Sequence, residues 1–235
     1  MRRGGPNVNV AIFGRAFVHL VRHPSILAWP LLAAVIDMLL TRWGGIFTDP
    51  LGGIGGGLFS FVVQIVYMFA FGVAVIQANN IARGYSGKLD DAWEEARRKA
   101  GGILLAAIGF QFVIWAAGYL GALTGSGLIQ EAVMLIAAFF FIFTIPAAAI
   151  GGLPGGLALS GSIRAARANW PAALMLLIAF AVLWFFLYPY VLIGLEPYGA
   201  TVALVGAAIY RALVLAYLAF PFAVLYDETA FRGLY

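Results

Sequence analysis

Six long apolar runs, joined by short connections that alternate in charge, constrain this chain more than anything else in it. A run of 18 or more apolar residues forms a helix long enough to cross a hydrocarbon core about 30 Å thick. Within that core only a helix or a closed barrel satisfies its own backbone hydrogen bonds. Spans are expected at 24–43, 57–82, 100–121, 128–151, 171–194 and 199–226. They use up nearly all of the 235 residues. The expected fold is therefore a single all-α membrane domain over 1–235, polytopic, with no room for a soluble catalytic domain. An apolar content of 63%, only 10% charged residues and a mean hydropathy of +0.97 lie outside the soluble globular range.

The connections set an orientation. Arg2, Arg3, Arg15 and Arg22 precede the first span; Arg83, Lys88, Arg97, Arg98 and Lys99 lie in the second connection; Arg164 and Arg167 lie in the fourth, and Arg232 in the tail. Twelve of the fourteen basic residues thus fall on one side, which the positive-inside rule makes cytoplasmic, with both termini inside. The same placement explains the net charge of +4 without nucleic acid. No small-residue cleavage site follows the first apolar run, so no removable signal peptide is expected. The absence of cysteine removes disulfides and thiolate chemistry. Twelve arginines against two lysines, with abundant Ala and Gly, suit a GC-rich bacterial gene and hence a bacterial inner membrane.

A repeat underlies the spans. Leu89, Ala92, Trp93, Ala96 and Ala100 occupy one face of a helix, and Leu159, Ser162, Ile163, Ala166 and Trp170 repeat that pattern 70 residues later. Phe13, Ala16, Phe17 and Leu20 fit at a shift of 76, with Arg15, His19 and Arg22 on the opposite face. "RHPSIL" at 22–27 also mirrors "NWPAAL" at 169–174. Three units are expected, at 8–82, 86–151 and 157–226, each an interfacial amphipathic helix followed by a transmembrane hairpin. Each interfacial helix is expected to lie with its apolar face in the acyl boundary and its basic face toward anionic headgroups.

Chemistry-bearing residues are few. Asp37 lies about 20 Å into span 1 and Arg211 about 22 Å into span 6, at 1.5 Å per residue. Gln64 falls near that level and Gln111 is shallower. A lone charge at such depth costs several kcal/mol, so the pair is expected to meet. Two roles stay open for it: a polar pocket for a headgroup, an ion or a proton, or a structural ion pair between the first and last spans. Asp90, Asp91, Glu94 and Glu95 mark the middle interfacial helix, and with Arg97, Arg98, Arg164 and Arg167 they are candidates for partner or headgroup contact. Glu94–Arg98 and Glu95–Lys99 are spaced as i,i+4 pairs. His19 and His23 have metal-ligand spacing but no carboxylate beside them, so no metal site is expected. "DPLGGIGGGLF" (49–59) lacks nucleotide-loop spacing and is expected to be a turn, with Gly52/Gly56 and Gly53/Gly57 allowing close helix approach. Ser60, Ser126, Ser160 and Ser162 have no histidine at matching depth, and Glu131 and Glu196 stand alone, so no enzyme is expected. "FFFIF" (139–143) and "WFFLYPY" (184–190) suit ordinary lipid-facing surface or a groove for a lipid, quinone or pigment. No cofactor is required.

"RHPSILAWPLL", "KLDDAWEEARRKAGGILL", "GSIRAARANWPAAL" and the exit "AFPFAVLYDETAFRG" together resemble the YciC-like bacterial inner-membrane proteins. The outline is also similar to the membrane domain attached to some glycerophosphoryl diester phosphodiesterases. Tyr226 and Asp227 match the family closing, whereas its basic pair and glutamate are mostly missing here. The resemblance implies membrane residence and a setting in envelope or lipid homeostasis; the phosphodiesterase domain is absent, and its activity does not carry over. Three functions are weighed: a non-enzymatic accessory or scaffolding subunit among other membrane proteins; a permease subunit of an ABC-type transporter whose 88–99 helix contacts an ATPase; and an intramembrane lipid-acting enzyme, which the missing nucleophile–base set disfavours.

Overall fold

A computed structural model describes residues 10–43 and 52–232, and every regular element among them is helical. Arg2, Arg3 and the start of the glycine-rich stretch, Asp49 to Leu51, lie outside the described residues, as do the side chains of Arg42 and Arg232. In chain order the helices are α1 (Ala11–Arg22), α2 (Ala28–Trp43), α3 (Gly52–Ala82), α4 (Leu89–Arg98), α5 (Ala100–Ala122), α6 (Gly127–Phe141), α7 (Thr144–Ala149), α8 (Gly155–Ala168), α9 (Trp170–Ala181), α10 (Tyr188–Leu195) and α11 (Ala200–Arg232). A 3₁₀ turn, Pro24–Leu27, leads into α2, and a π-helical segment, Val182–Leu187, joins α9 to α10.

Among the described residues, five helical stretches are long and apolar enough to cross a membrane: Gly56–Ala82, Ala100–Ala122, Gly127–Ala149, Trp170–Tyr198 and Ala200–Ala230. The pair Ala11–Arg22 and Pro24–Leu40 passes the same test only when taken together, and it is bent by 94° at His23. The bend has a local cause. Pro24 has no N–H to continue the ladder of α1, and its ring pushes the preceding residue out of the helical region. His23 accordingly adopts φ −128°, ψ 66°, and proline then opens the next helix.

α3 and α11 run against each other through the middle, and α2 packs on both. α5, α7 and α8 gather on the other side of α3, while α1 lies against α11. Lipid offers little hydrophobic drive for helices to associate, so close packing of small residues has to hold them together. α11 meets that need with Ala212, Ala216, Ala219 and Ala223, which are buried along one face at i, i+4, i+7 and i+11. Gly121 does the same in the α5–α6 hairpin, where an added Cβ would come within 2.5 Å of the Gln130 Cα. The glycine-rich stretch is not the expected turn from Gly52 on but the start of α3, and at Gly56 and Gly57 no described residue lies within 4 Å of an added Cβ.

The fourth span is interrupted. Its ladder breaks at Ile142–Phe143, and the Ser162 hydroxyl bridges the gap, donating to the Phe140 carbonyl at 2.9 Å and accepting the Phe143 N–H at 2.9 Å. A buried helix break leaves backbone groups unpaired, and one side chain of α8 satisfies two of them.

The three amphipathic helices differ in what they bury. α1 has three faces. Ile12 and Ala16 are buried against the bundle, Arg15 and Arg22 point outward, and Val10, Phe17 and Val21 form an exposed apolar strip between 62% and 66% accessible. α4 keeps no such strip. Ala92 and Ala96 are fully buried, Trp93 stacks on Trp29 with ring centroids 4.1 Å apart, and the rest of its surface is charged. In α8, Ala158, Ser162 and Ala166 are likewise fully buried. The expectation of an apolar face turned to lipid is therefore corrected for α4, whose small-residue face is consumed by helix packing; α8 buries its small residues but keeps Leu157 58% accessible.

Candidate functional site

The polar centre of the molecule assembles from five apolar elements. α3 contributes Ser60, Gln64 and Tyr67, at i, i+4 and i+7, a polar stripe on an otherwise oily helix of 31 residues. α2 contributes Asp37 and α11 contributes Arg211. The π segment and α10 contribute Trp184 and Tyr188. Pro189 gives this segment its shape, because it donates no N–H and its ring crowds the carbonyl four residues back. Widening to a π-helix relieves that clash, and the Leu183 carbonyl within the widened turn accepts a hydrogen bond from the Tyr210 hydroxyl at 2.6 Å.

Asp37 and Arg211 meet as an ion pair across 174 residues of sequence. The Tyr67 hydroxyl donates to the same Asp37 oxygen, Oδ2, at 2.9 Å. The guanidinium also bonds the Tyr188 hydroxyl and lies over that ring, 4.7 Å from its centroid. The carboxylate is thus held by two donors, and the cation by a carboxylate, a hydroxyl and a π face. A buried pair is tolerated only when its remaining hydrogen-bonding groups are satisfied in this way.

Next to the pair is a cavity of about 250 Å³, lined by Asp37, Tyr67, Trp184, Tyr188 and Arg211 together with Ser60, Gln64 and their apolar neighbours Phe59 and Val63. The Asp37 side chain is 12% accessible and that of Arg211 is 29%. Gln64 takes its expected place in the wall. Gln111 does not: it is buried on α5 and lies outside the cavity lining. Sequence reasoning missed Tyr67, and it named Trp184 and Tyr188 only within the 184–190 run offered as a groove, not as partners of the ion pair. The spacing of Tyr67 from Ser60 and Gln64 would have found the first, and Pro189 was the sign of an irregular turn near the other two.

Among the described residues no histidine lines the cavity beside Ser60, and Asp37 there bonds Arg211 and Tyr67. Among the described residues no group of three or more His, Cys, Asp or Glu is placed to hold a metal ion. His19 leaves the polar face assigned to it and stacks on Phe220, with centroids 4.5 Å apart and its Nδ1 buried without a partner. Burial, and then the charges of His23, Arg22 and Arg15, hold its pKa below the ordinary value.

At the other end of the bundle the charged connections are tied down. Arg83 bonds Asp227 at 2.5 Å, joining the end of α3 to the end of α11. Lys99 donates to Glu95 at 2.6 Å and to the Ala149 carbonyl at 2.8 Å, pinning the α4–α5 junction to the end of α7. The Glu94–Arg98 pair is looser, 4.0 Å apart and largely exposed. Of the four acidic residues of α4, Glu95 is engaged by Lys99 and Asp91 accepts from Ser86 at 2.5 Å. Asp90 and Glu94 face outward beside Arg97 and Arg98. On α8, Arg164 and Arg167 are exposed, and Arg167 sits over the Phe140 ring at 5.9 Å.

The two aromatic clusters divide. Phe143 is fully buried, and Trp184 and Tyr188 face the cavity, whereas Phe185, Phe186 and Tyr190 point outward at 61–64% accessible. Comparison with family models, curated proteins and solved structures gives no match for this chain.

Proposed function

We propose that this protein is a non-enzymatic multi-pass protein of a bacterial inner membrane, working by contact as an accessory or scaffolding subunit within a larger membrane assembly. One observation carries the proposal: the span Trp170–Tyr198 is only 6% buried over its most apolar window, against 50% for Gly56–Ala82. Phe185, Phe186, Tyr190 and Ile193 line that uncovered span, and aromatic residues are enriched in the buried cores of interfaces. In this proposal both termini are cytoplasmic, and three units of amphipathic helix plus hairpin build the domain. Support for the repeat comes from the helix ends. α1, α4 and α8 stop at His23, Lys99 and Asn169, which are separated by the shifts of 76 and 70 that relate the three sequence patterns. The likeness to YciC-like proteins adds envelope or lipid homeostasis as the setting.

A photo-crosslinking residue at Phe186 or Ile193 tests the proposal in intact cells. A discrete protein adduct, identified as one membrane protein, is the expected result; adducts to lipid alone would remove the scaffolding role. The outward charged surface of α4, with Asp90, Glu94, Arg97 and Arg98, favours a second reading as the permease subunit of an ABC-type transporter. Gentle purification separates the two, since a stoichiometric ATPase bound through α4 would replace the first reading with the second.

A further inference from the structure

The cavity beside Asp37 and Arg211 has a charge balance that selects its occupant. It holds one carboxylate and one guanidinium, so its formal charge sums to zero. In a low-dielectric surrounding, adding a lone anion or a lone cation would leave one uncompensated charge, at a cost of several kcal/mol. A purely apolar occupant would instead leave the exposed part of Arg211, the Ser60 hydroxyl and the Gln64 amide facing hydrocarbon without partners. A zwitterion avoids both penalties. The guanidinium has five N–H donors, more than its bonds to Asp37 and Tyr188 use, in a fork that suits phosphate. The lining also holds Tyr67, which bonds the carboxylate, and Phe59 and Trp184, rings of the kind that attract an ammonium group to their faces.

Size and access point the same way. At 250 Å³ the cavity is smaller than the roughly 300–1,000 Å³ of sites that enclose a drug-sized ligand. It takes a headgroup and leaves the tails outside. Ser60, exposed on α3, is the open wall of the cavity, with Phe59 and Val63 as its apolar neighbours in the lining. We infer that this cavity is a binding site for a zwitterionic ammonium–phosphate lipid headgroup of the phosphoethanolamine type, with phosphate on Arg211 and ammonium between Asp37 and the aromatic walls.

Native mass spectrometry of the full chain in detergent tests this with dihexanoyl phosphatidylethanolamine and, separately, dihexanoyl phosphatidylglycerol. The expected result is one retained phosphatidylethanolamine molecule per chain, at an affinity tenfold or more above that for phosphatidylglycerol. Ser60→Trp fills the mouth without touching the ion pair and should lower retention at least tenfold while the ligand-free melting temperature stays put. Gln64→Leu is the second variant, should Ser60→Trp fail to fold, and should weaken retention severalfold. Equal retention of the two lipids, no saturable retention of either, or wild-type binding by a folded Ser60→Trp protein would each overturn the assignment.

Discussion

Asp37 and Arg211 show what a pair of residues imposes on a membrane protein. Breaking a buried pair on one side leaves the other charge uncompensated, which costs about 3–5 kcal/mol, whereas replacing both by apolar residues of similar size is often neutral. Asp37→Asn or Arg211→Gln alone should therefore cut the yield of monodisperse protein in fluorescence size-exclusion chromatography, and Asp37→Leu with Arg211→Met should recover much of it. A simple charge swap should recover less. Tyr67 donates to the carboxylate and Tyr188 stacks on the guanidinium, so the surroundings of the two charges are not interchangeable. Glycines separate just as sharply. Gly121→Ala drives a Cβ into the backbone at Gln130, and overpacking of this kind costs about 1–3 kcal/mol. Gly56→Ala meets nothing and should raise the melting temperature slightly through helix propensity. Equal melting temperatures for the two variants would contradict this packing.

Among the elements, α1 carries a pH dependence. His19 is stacked on Phe220, and its pKa is lowered first by burial and then by His23, Arg22 and Arg15. A base whose folded pKa is lowered favours the neutral form in the folded state. Stability is then intact above the unfolded value of about 6.5 and declines as pH falls through it, because the unfolded chain binds the proton more readily. Hydrogen exchange in α1, corrected for its intrinsic pH dependence, should accelerate between pH 7.5 and 5.5, and His19→Phe should flatten that change. In the fourth span, Ser162 is the other element-level device. Ser162→Ala strands the Phe143 N–H and the Phe140 carbonyl, and unsatisfied buried groups cost about 1–3 kcal/mol each. The melting temperature should fall accordingly; an unchanged value would mean that the break closes on itself. The sequence outlined the amphipathic helices well, since periodicity is a local property. It did not reveal which of them keep a face for lipid, because α4 loses its own to residues distant in the chain such as Trp29.

For the whole molecule, orientation is the quantity to measure, and the cysteine-free chain suits it. Ser86→Cys and Thr124→Cys place single thiols in connections at opposite ends of the bundle. With both termini cytoplasmic, a membrane-impermeant maleimide should label Thr124→Cys in intact cells and Ser86→Cys only after permeabilisation. The reverse pattern would invert the molecule. The ends already differ in construction: Arg83–Asp227 and Lys99–Ala149 lock the basic end, while the polar cavity sits toward the other.

Helical content, five of the six expected apolar spans and the depth match between Asp37 and Arg211 follow from local sequence, while the first span passes only together with α1 across the bend at His23. Span length and charge cost are properties of single segments in hydrocarbon, and no partner is needed to evaluate them. Tertiary structure alone decided that Tyr67 and Tyr188 complete the pair, that Gln111 stays away from it, and that the aromatic run at 184–190 turns two rings inward and three outward. Those outcomes depend on helix rotation about its axis, and rotation is settled by how small residues on several helices interlock at once. A run that is apolar on every side carries no periodic signal of which face will be covered. α3, with its single polar stripe at Ser60, Gln64 and Tyr67, is the informative exception, because a polar residue in a span has to face protein or water.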